Sequence, residues 1–267
     1  PARPEPSEEE ARDLLRRFAT EIDFQPRSPI LYSPGDQGLA YEDVTFPSAD
    51  GVPLEGWFIP APGSNKLVIA NHPIGFNRSG MPAHLEPWRW QWESSGNALE
   101  INFIPDYRIP HEAGFNVLAY DLRSHGHSGE GNGGVTSGGI YEARDVIGSL
   151  KYARDRRDTR DMAVGLFSRC LGAIATFAAM ARAPEAFGAV RCLVAAQPVT
   201  ARTILARTLA RMGLPGRIDE LERLIVMDTS IEPRRRDPGS GRGSVRVPTF
   251  LYQVRDDILT HPDDVRA

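Results

Sequence analysis

The chain has 267 residues, of which 41% are hydrophobic and 25% charged, and carries a formal net charge of −4; these are the proportions of a globular protein large enough for one substantial core. No run approaches the roughly 20 apolar residues of a membrane span, and the net negative charge lacks the concentrated positive field that nucleic-acid phosphates require. Neither a membrane protein nor a nucleic-acid binder is expected, and the acidic opening PARPEPSEEE, free of a basic apolar signal pattern, predicts a cytoplasmic location. The two cysteines, Cys170 and Cys192, give little reason for a structural disulfide, and no metal-ligand spacing occurs, so neither metal nor cofactor is expected.

In chain order, Ser7 ahead of Glu8, Glu9 and Glu10 is a cap followed by an acidic first turn, and Leu14, Leu15 and Phe18 give the helix an apolar face, so a leading helix packed on the domain is predicted. After a Pro/Ser/Gly-rich loop over 26–38, segments 41–47 and 52–60 read as two strands of an edge hairpin turning at Ala49-Asp50-Gly51. The continuous apolar runs 66–71 and 116–121 read as strands buried on both faces, the mark of a parallel sheet covered by helices. Helices are predicted at 99–113, 139–157, 173–183 and within 200–227, and further strands at 162–167, 191–196 and 247–254. Regular alternation of this kind implies one α/β domain over 1–267, a mostly parallel sheet opened by an antiparallel hairpin, with helices on both faces.

Two stretches interrupt the alternation, at 78–102 and 197–246, both after strand ends on the face where such folds place ligands, so a lid or cap is expected there. For Trp88, Trp90 and Trp92 in the first, packing between cap and core and the lining of an acyl pocket both stay open. Arg234, Arg235 and Arg236 in the second read as a solvated loop.

The chemistry centres on M-A-V-G-L-F-S-R-C-L-G-A, residues 162–173. An apolar strand there runs abruptly into an Ala-rich helix. The residue at so sharp a bend is strained and its side chain stands above the sheet, while small neighbours two positions away prevent collision. Cys170 occupies that point, flanked by Ser168 and Gly172. Ser168 as the projecting residue would need a small side chain at 166, which is Leu166.

This stretch resembles the nucleophile elbow of the α/β-hydrolases, G-x-S-x-G, written here S-R-C-L-G with a thiol at the nucleophile position. The cysteine is similar to the variant in dienelactone hydrolases and polyhydroxyalkanoate synthases. D-L-R-S-H-G-H-S-G, residues 121–129, resembles the family's D-x-R-G-x-G-x-S segment, where His125 and His127 fall on loop-shaping positions rather than on a base. The resemblance, which covers roughly residues 41 to 260, implies Cys170 as nucleophile and Leu171 as one oxyanion-hole donor. The second donor is implied in N-H-P-I-G-F at Ile74, because Pro73 has no N–H to give. It further implies a triad acid after the last strand, where Asp257 fits better than Asp256.

The family's base lies some tens of residues beyond the acid. Here the sequence ends at Ala267 and offers only His261 after Asp257, so a C-terminal strand and helix with the base are expected to be absent from this chain. A thiol tolerates that loss better than a hydroxyl, being partly ionised near neutral pH. The expected activity is acyl hydrolysis of a small-molecule ester, thioester or lactone through a cysteine acyl-enzyme. An acyltransferase using the same cysteine and a ligand-binding pseudo-hydrolase lacking the base are the alternatives, and a homo-oligomer is compatible with all three.

Overall fold

The structure is a computed structural model that describes residues 6–24, 26–89, 93, 96, 98–199, 201–232, 243–257 and 260. Among them a seven-stranded sheet runs in the order β1-β2-β6-β3-β7-β8-β9, built from β1 (Glu42–Pro47), β2 (Pro53–Ile59), β3 (Lys66–Asn71), β6 (Asn116–Tyr120), β7 (Ala163–Arg169), β8 (Val190–Ala196) and β9 (Thr249–Tyr252). The β1–β2 and β2–β6 pairs are antiparallel and every other pair is parallel. The hairpin therefore opens the sheet at one edge, as the turn residues predict. A separate two-stranded sheet pairs β4 (Gly80–Pro82) with β5 (Glu100–Asn102).

Side chains alternate between sheet faces along each strand, and two cores result. On one face Leu67, Ile69, Leu118, Leu166 and Leu193 pack against α3 (Ala143–Asp155) and α4 (Leu171–Arg182), through Val146 and Leu150 of the former and Phe177 and Met180 of the latter. On the other, Trp57, Ile59, Ala70, Val117 and Ala119 pack against Ile104 and Tyr107 of α2 (Ile104–Glu112). The α2 face stays open beyond β7 among the described residues: Cys192 is exposed, and Phe250 and Tyr252 of β9 keep 64% and 40% of their surface.

Two differences from the sequence expectations have local causes. The predicted helix 99–113 begins only at Ile104, because residues 100–102 pair with β4, Asn102 Oδ1 caps the Ile104 N–H at 2.9 Å, and Pro105 suits a first turn. The predicted helical region 200–227 is two helices, α5 (Ala201–Arg211) and α6 (Ile218–Thr229), broken where Gly213 and Gly216 take φ of 83° and 80°.

The leading helix, α1 (Glu8–Asp23), starts on a capping box in which the Glu10 N–H reaches Ser7 Oγ at 3.3 Å and the Ser7 N–H reaches Glu10 Oε2 at 2.8 Å. It does not lie on the sheet. Its stripe of Ala11, Leu15 and Ala19 buries against Leu205 and Leu209 of α5 and Leu221 and Ile225 of α6, a third core of its own. Of the face read from sequence, Leu15 lies in this stripe while Leu14 and Phe18 pack at its edge, and the partner, some 200 residues later, is not legible.

Candidate active site

β7 ends at Arg169, α4 begins at Leu171, and the single residue between them, Cys170, has φ 48° and ψ −111°. A non-glycine residue there carries backbone strain of about 1–3 kcal/mol, tolerated only where its surroundings fix it. They do so here through hydrogen bonds. The Cys170 N–H donates to Ala196 O of β8 at 2.9 Å, its carbonyl accepts from the N–H groups of Ala173 and Ile174, and the Gly172 N–H donates to His72 O at 3.2 Å. Beneath the bend, Ser168 Oγ accepts from Asn71 Nδ2 at 2.8 Å and shares a hydrogen bond with Thr176 Oγ1 at 2.9 Å, while Tyr120 OH donates to Asn71 Oδ1 at 2.7 Å. Ser168 is fully buried in that network, so it ties β3, β7 and α4 together below the site rather than facing a ligand.

Above the bend Cys170 as a residue keeps part of its surface, while its sulfur is largely withdrawn from water. The N–H groups of Leu171 and Ile74 both face the sulfur closely enough to favour its ionised form, and among the described residues neither has a main-chain hydrogen-bond acceptor. Leu171 supplies its donor because the first N–H groups of a helix have no partner within it. Ile74 supplies its own because the loop after β3 is pinned: His72 Nδ1 lies 2.7 Å from Pro73 O, His72 Nε2 accepts from the Leu122 N–H at 2.9 Å, and Gly75 turns the chain with φ 76°. The structure thus brings Cys170, Leu171 and Ile74 together.

Asp257 follows β9 and is partly buried, whereas Asp256 is exposed. The Asp257 carboxylate accepts from Gln197 Nε2 and, at 3.2 Å, from the Thr260 N–H, and its negative charge acts on the thiol. Burial pushes the Cys170 thiol up to about 11, with the Asp257 charge adding to the rise and the Leu171 and Ile74 N–H groups opposing it. Desolvation wins because a thiolate loses more from leaving water than two amide dipoles return. At rest the sulfur is protonated.

The histidines near the site differ in their engagement: His125 Nε2 is buried without a hydrogen-bond partner among the described residues. His72 spends both ring nitrogens on backbone groups, and burial drives its pKa well down. His125 lies against it, ring centroids 5.0 Å apart, with Nδ1 2.8 Å from Arg123 O. His127 is exposed and its main-chain N–H donates to Asp121, consistent with a loop-shaping role. Among the described residues no imidazole bonds the Cys170 sulfur. His261, Trp90, Trp92 and Arg234–Arg236 lie outside the described residues. Trp88 is placed: its Nε1 donates to Pro26 O at 3.1 Å, tying the first insertion to the loop after α1.

Two neighbours of the site were not anticipated. Arg169, beside the nucleophile position, buries its guanidinium 3.5 Å over the Phe103 ring and pairs with Asp106 at 2.7 Å. Gln197, the first residue past β8, contacts the carboxylate directly. The sequence signal for both was position at the C-terminal end of a predicted parallel strand, where ligands collect in such sheets.

Comparison with known proteins agrees on architecture. The esterase Pf2001 of Pyrococcus furiosus superimposes with a TM-score of 0.68 at 24% identity, covering 92% of this chain and 82% of that one. The α/β hydrolase GrgF of Penicillium sp. sh18 gives 0.51 at 17% identity over 85% and 84% of the two chains. In sequence, 162 residues are 27% identical to the uncharacterized protein YfhR of Escherichia coli K12, 60% of this chain and 47% of that protein. The chain thus spans about half the length of the curated relatives it matches. No family model matches it. The fold is that of the α/β-hydrolases.

Proposed function

We propose that the protein is an acyl hydrolase in which Cys170 attacks the carbonyl carbon of an ester, thioester or lactone. The observation that carries this reading is the convergence of two acceptor-free N–H groups, from Leu171 and Ile74, beside a sulfur held up at a strained bend. As the S–C bond forms, the carbonyl oxygen becomes an oxyanion and takes those two N–H groups as donors. One such donor is typically worth about 10²–10³ in rate. Collapse of the tetrahedral species expels the alcohol or thiol and leaves a thioester on Cys170, and water then attacks that thioester, releasing the acid and restoring the thiol.

With a thiol pKa of about 11 only roughly one molecule in ten thousand holds a thiolate at pH 7. Attack is therefore coupled to removal of the thiol proton by a base. Asp257 alone opposes that ionisation, since like charges repel. Its charge becomes helpful once a cation forms between it and the sulfur, the part an acid plays behind an imidazole. The Asp257 position thus supports the relay reading over that of an incidental turn carboxylate.

Supporting hydrolysis, esterase Pf2001 and GrgF share this architecture. The two insertions, 78–102 and 197–246, are read as the lid or cap of a single domain, the second carrying α5 and α6, which pack with α1. A second reading, ligand binding without turnover, draws on the raised thiol pKa. Turnover of p-nitrophenyl esters and small lactones by wild type and Cys170→Ala separates the two. Hydrolysis abolished by the substitution supports the proposal, and hydrolysis retained in Cys170→Ala removes it.

A further inference from the structure

Gln197 holds three points of the segment that carries Asp257. Its main-chain N–H donates to Tyr252 O at 2.8 Å, extending the β8–β9 ladder by one residue. Its side-chain Oε1 accepts from the Val254 N–H at 2.6 Å, and its Nε2 donates to Asp257 Oδ2. The two amide atoms cannot be exchanged in this reading, because an N–H must meet an oxygen and a carboxylate must meet an N–H. A primary amide does both from one planar group, whereas a glutamate has no donor when ionised and a lysine or arginine has no acceptor.

The backbone supports the same conclusion. Gln197 sits at φ 50°, a region that side-chain-bearing residues seldom adopt. Glycine would take that conformation without strain. The ladder needs only the main chain at this position, so the side chain is what glycine could not supply. Thr260 N–H, at 3.2 Å from Oδ1, holds the other carboxylate oxygen.

We infer that Gln197 is a positioning residue for the acyl-transfer site: its amide clamps the 254–257 segment so that the Asp257 carboxylate stays within electrostatic reach of the Cys170 sulfur. The inference rests on the proposed role of Cys170 and Asp257, but its readouts do not depend on turnover. Among the described residues, Asp257 is the ionisable side chain whose charge acts on the thiol, so the thiol reports on where that carboxylate lies.

The test uses Gln197→Gly, which preserves the backbone, together with Gln197→Glu, Asp257→Asn and the Gln197→Gly/Asp257→Asn double variant. Hydrogen exchange of the Val254 amide is expected to speed up about tenfold or more in Gln197→Gly, from loss of one hydrogen bond, and to speed up also in Gln197→Glu, whose carboxylate is repelled by that of Asp257. Iodoacetamide labelling of Cys170, followed by peptide mass over pH 7–10, is the second readout. Removing the nearby negative charge in Asp257→Asn is expected to raise the rate at pH 8 about three- to tenfold. Gln197→Gly should give a similar rise, and the double variant should label no faster than Asp257→Asn.

A purely structural role would move the exchange rate but would not make the two substitutions non-additive at the thiol. The inference is overturned if Val254 exchange is unchanged in Gln197→Gly, if Asp257→Asn leaves labelling unchanged, or if Gln197→Gly speeds labelling equally with and without Asp257. Turnover retained by Cys170→Ala would instead remove the proposed reaction while leaving both readouts of the clamp intact.

Discussion

Gly172→Ala tests whether the elbow depends on close approach of α4 to β3. A Cβ at 172 would stand 2.6 Å from Asn71 O and 2.7 Å from both the carbonyl carbon and Cβ of Asn71. Ordinary contact begins near 3.4 Å, so the two elements must separate by about 0.8 Å. β3 has little room to yield, since Asn71 is fixed by Ser168 and Tyr120 and the strand is paired on both sides. The start of α4 moves instead and takes the Leu171 N–H with it. Overpacking of this kind costs about 1–3 kcal/mol, and a displacement approaching 1 Å between reacting groups lowers turnover about 10²-fold. Urea unfolding and kcat for a p-nitrophenyl ester measure the two effects. Gly165→Ala is the control: on β7, two residues before the end of the apolar run 162–167, its added Cβ meets nothing nearer than Cys192 Sγ at 3.4 Å, and it should leave both readings near wild type. Wild-type stability and turnover in Gly172→Ala would refute the close-approach argument.

The raised thiol pKa predicts a pH profile. Iodoacetamide labelling of Cys170 should keep rising through pH 10, because the thiolate fraction climbs until the pH passes about 11; a plateau near pH 9, as an ordinary thiol gives, would contradict the desolvated environment. Cys192 is exposed and labels in parallel, so the two are separated by peptide mass. Asp121→Ala should cost about 3–5 kcal/mol in urea unfolding, because it strands the buried Arg78 guanidinium that Asp121 neutralises and strips the Arg78 and His127 N–H groups of their acceptor. A loss below about 1 kcal/mol would show that the pair is dispensable. Ser7→Ala removes the cap of α1 and should cost about 1 kcal/mol, with the loss appearing as earlier exchange of α1 amides than of β7 amides if the three-helix cluster opens separately from the sheet; equal protection of the two would contradict that separation.

Local signals carried the strands and the bend. The apolar runs at 66–71 and 116–121 are buried strands because parallel strands covered on both faces need no polar side, and S-R-C-L-G marks the bend because its small residues sit where β3 and α4 come nearest. Long-range partners were not legible. Glu100–Asn102 looks helical until Gly80–Pro82, some 20 residues earlier, offers a strand edge. α1 shows its stripe but not that α5 and α6 receive it. Gln197 reads as an ordinary polar residue after a strand, since its value lies in partners 57 and 60 positions away. The resemblance offers Asp257 as a candidate acid, but the sign of its effect on the thiol emerges only in the folded chain.

The most direct test of the proposed chemistry is the mass of the intact protein quenched in acid within seconds of mixing with p-nitrophenyl acetate, with peptide mapping of any adduct. A single acetyl group on Cys170, formed with the burst of nitrophenol and absent from Cys170→Ala, is the expected result. Unmodified protein during steady turnover, or an acetyl group on any other residue that forms with the burst, would contradict a thioester on that sulfur.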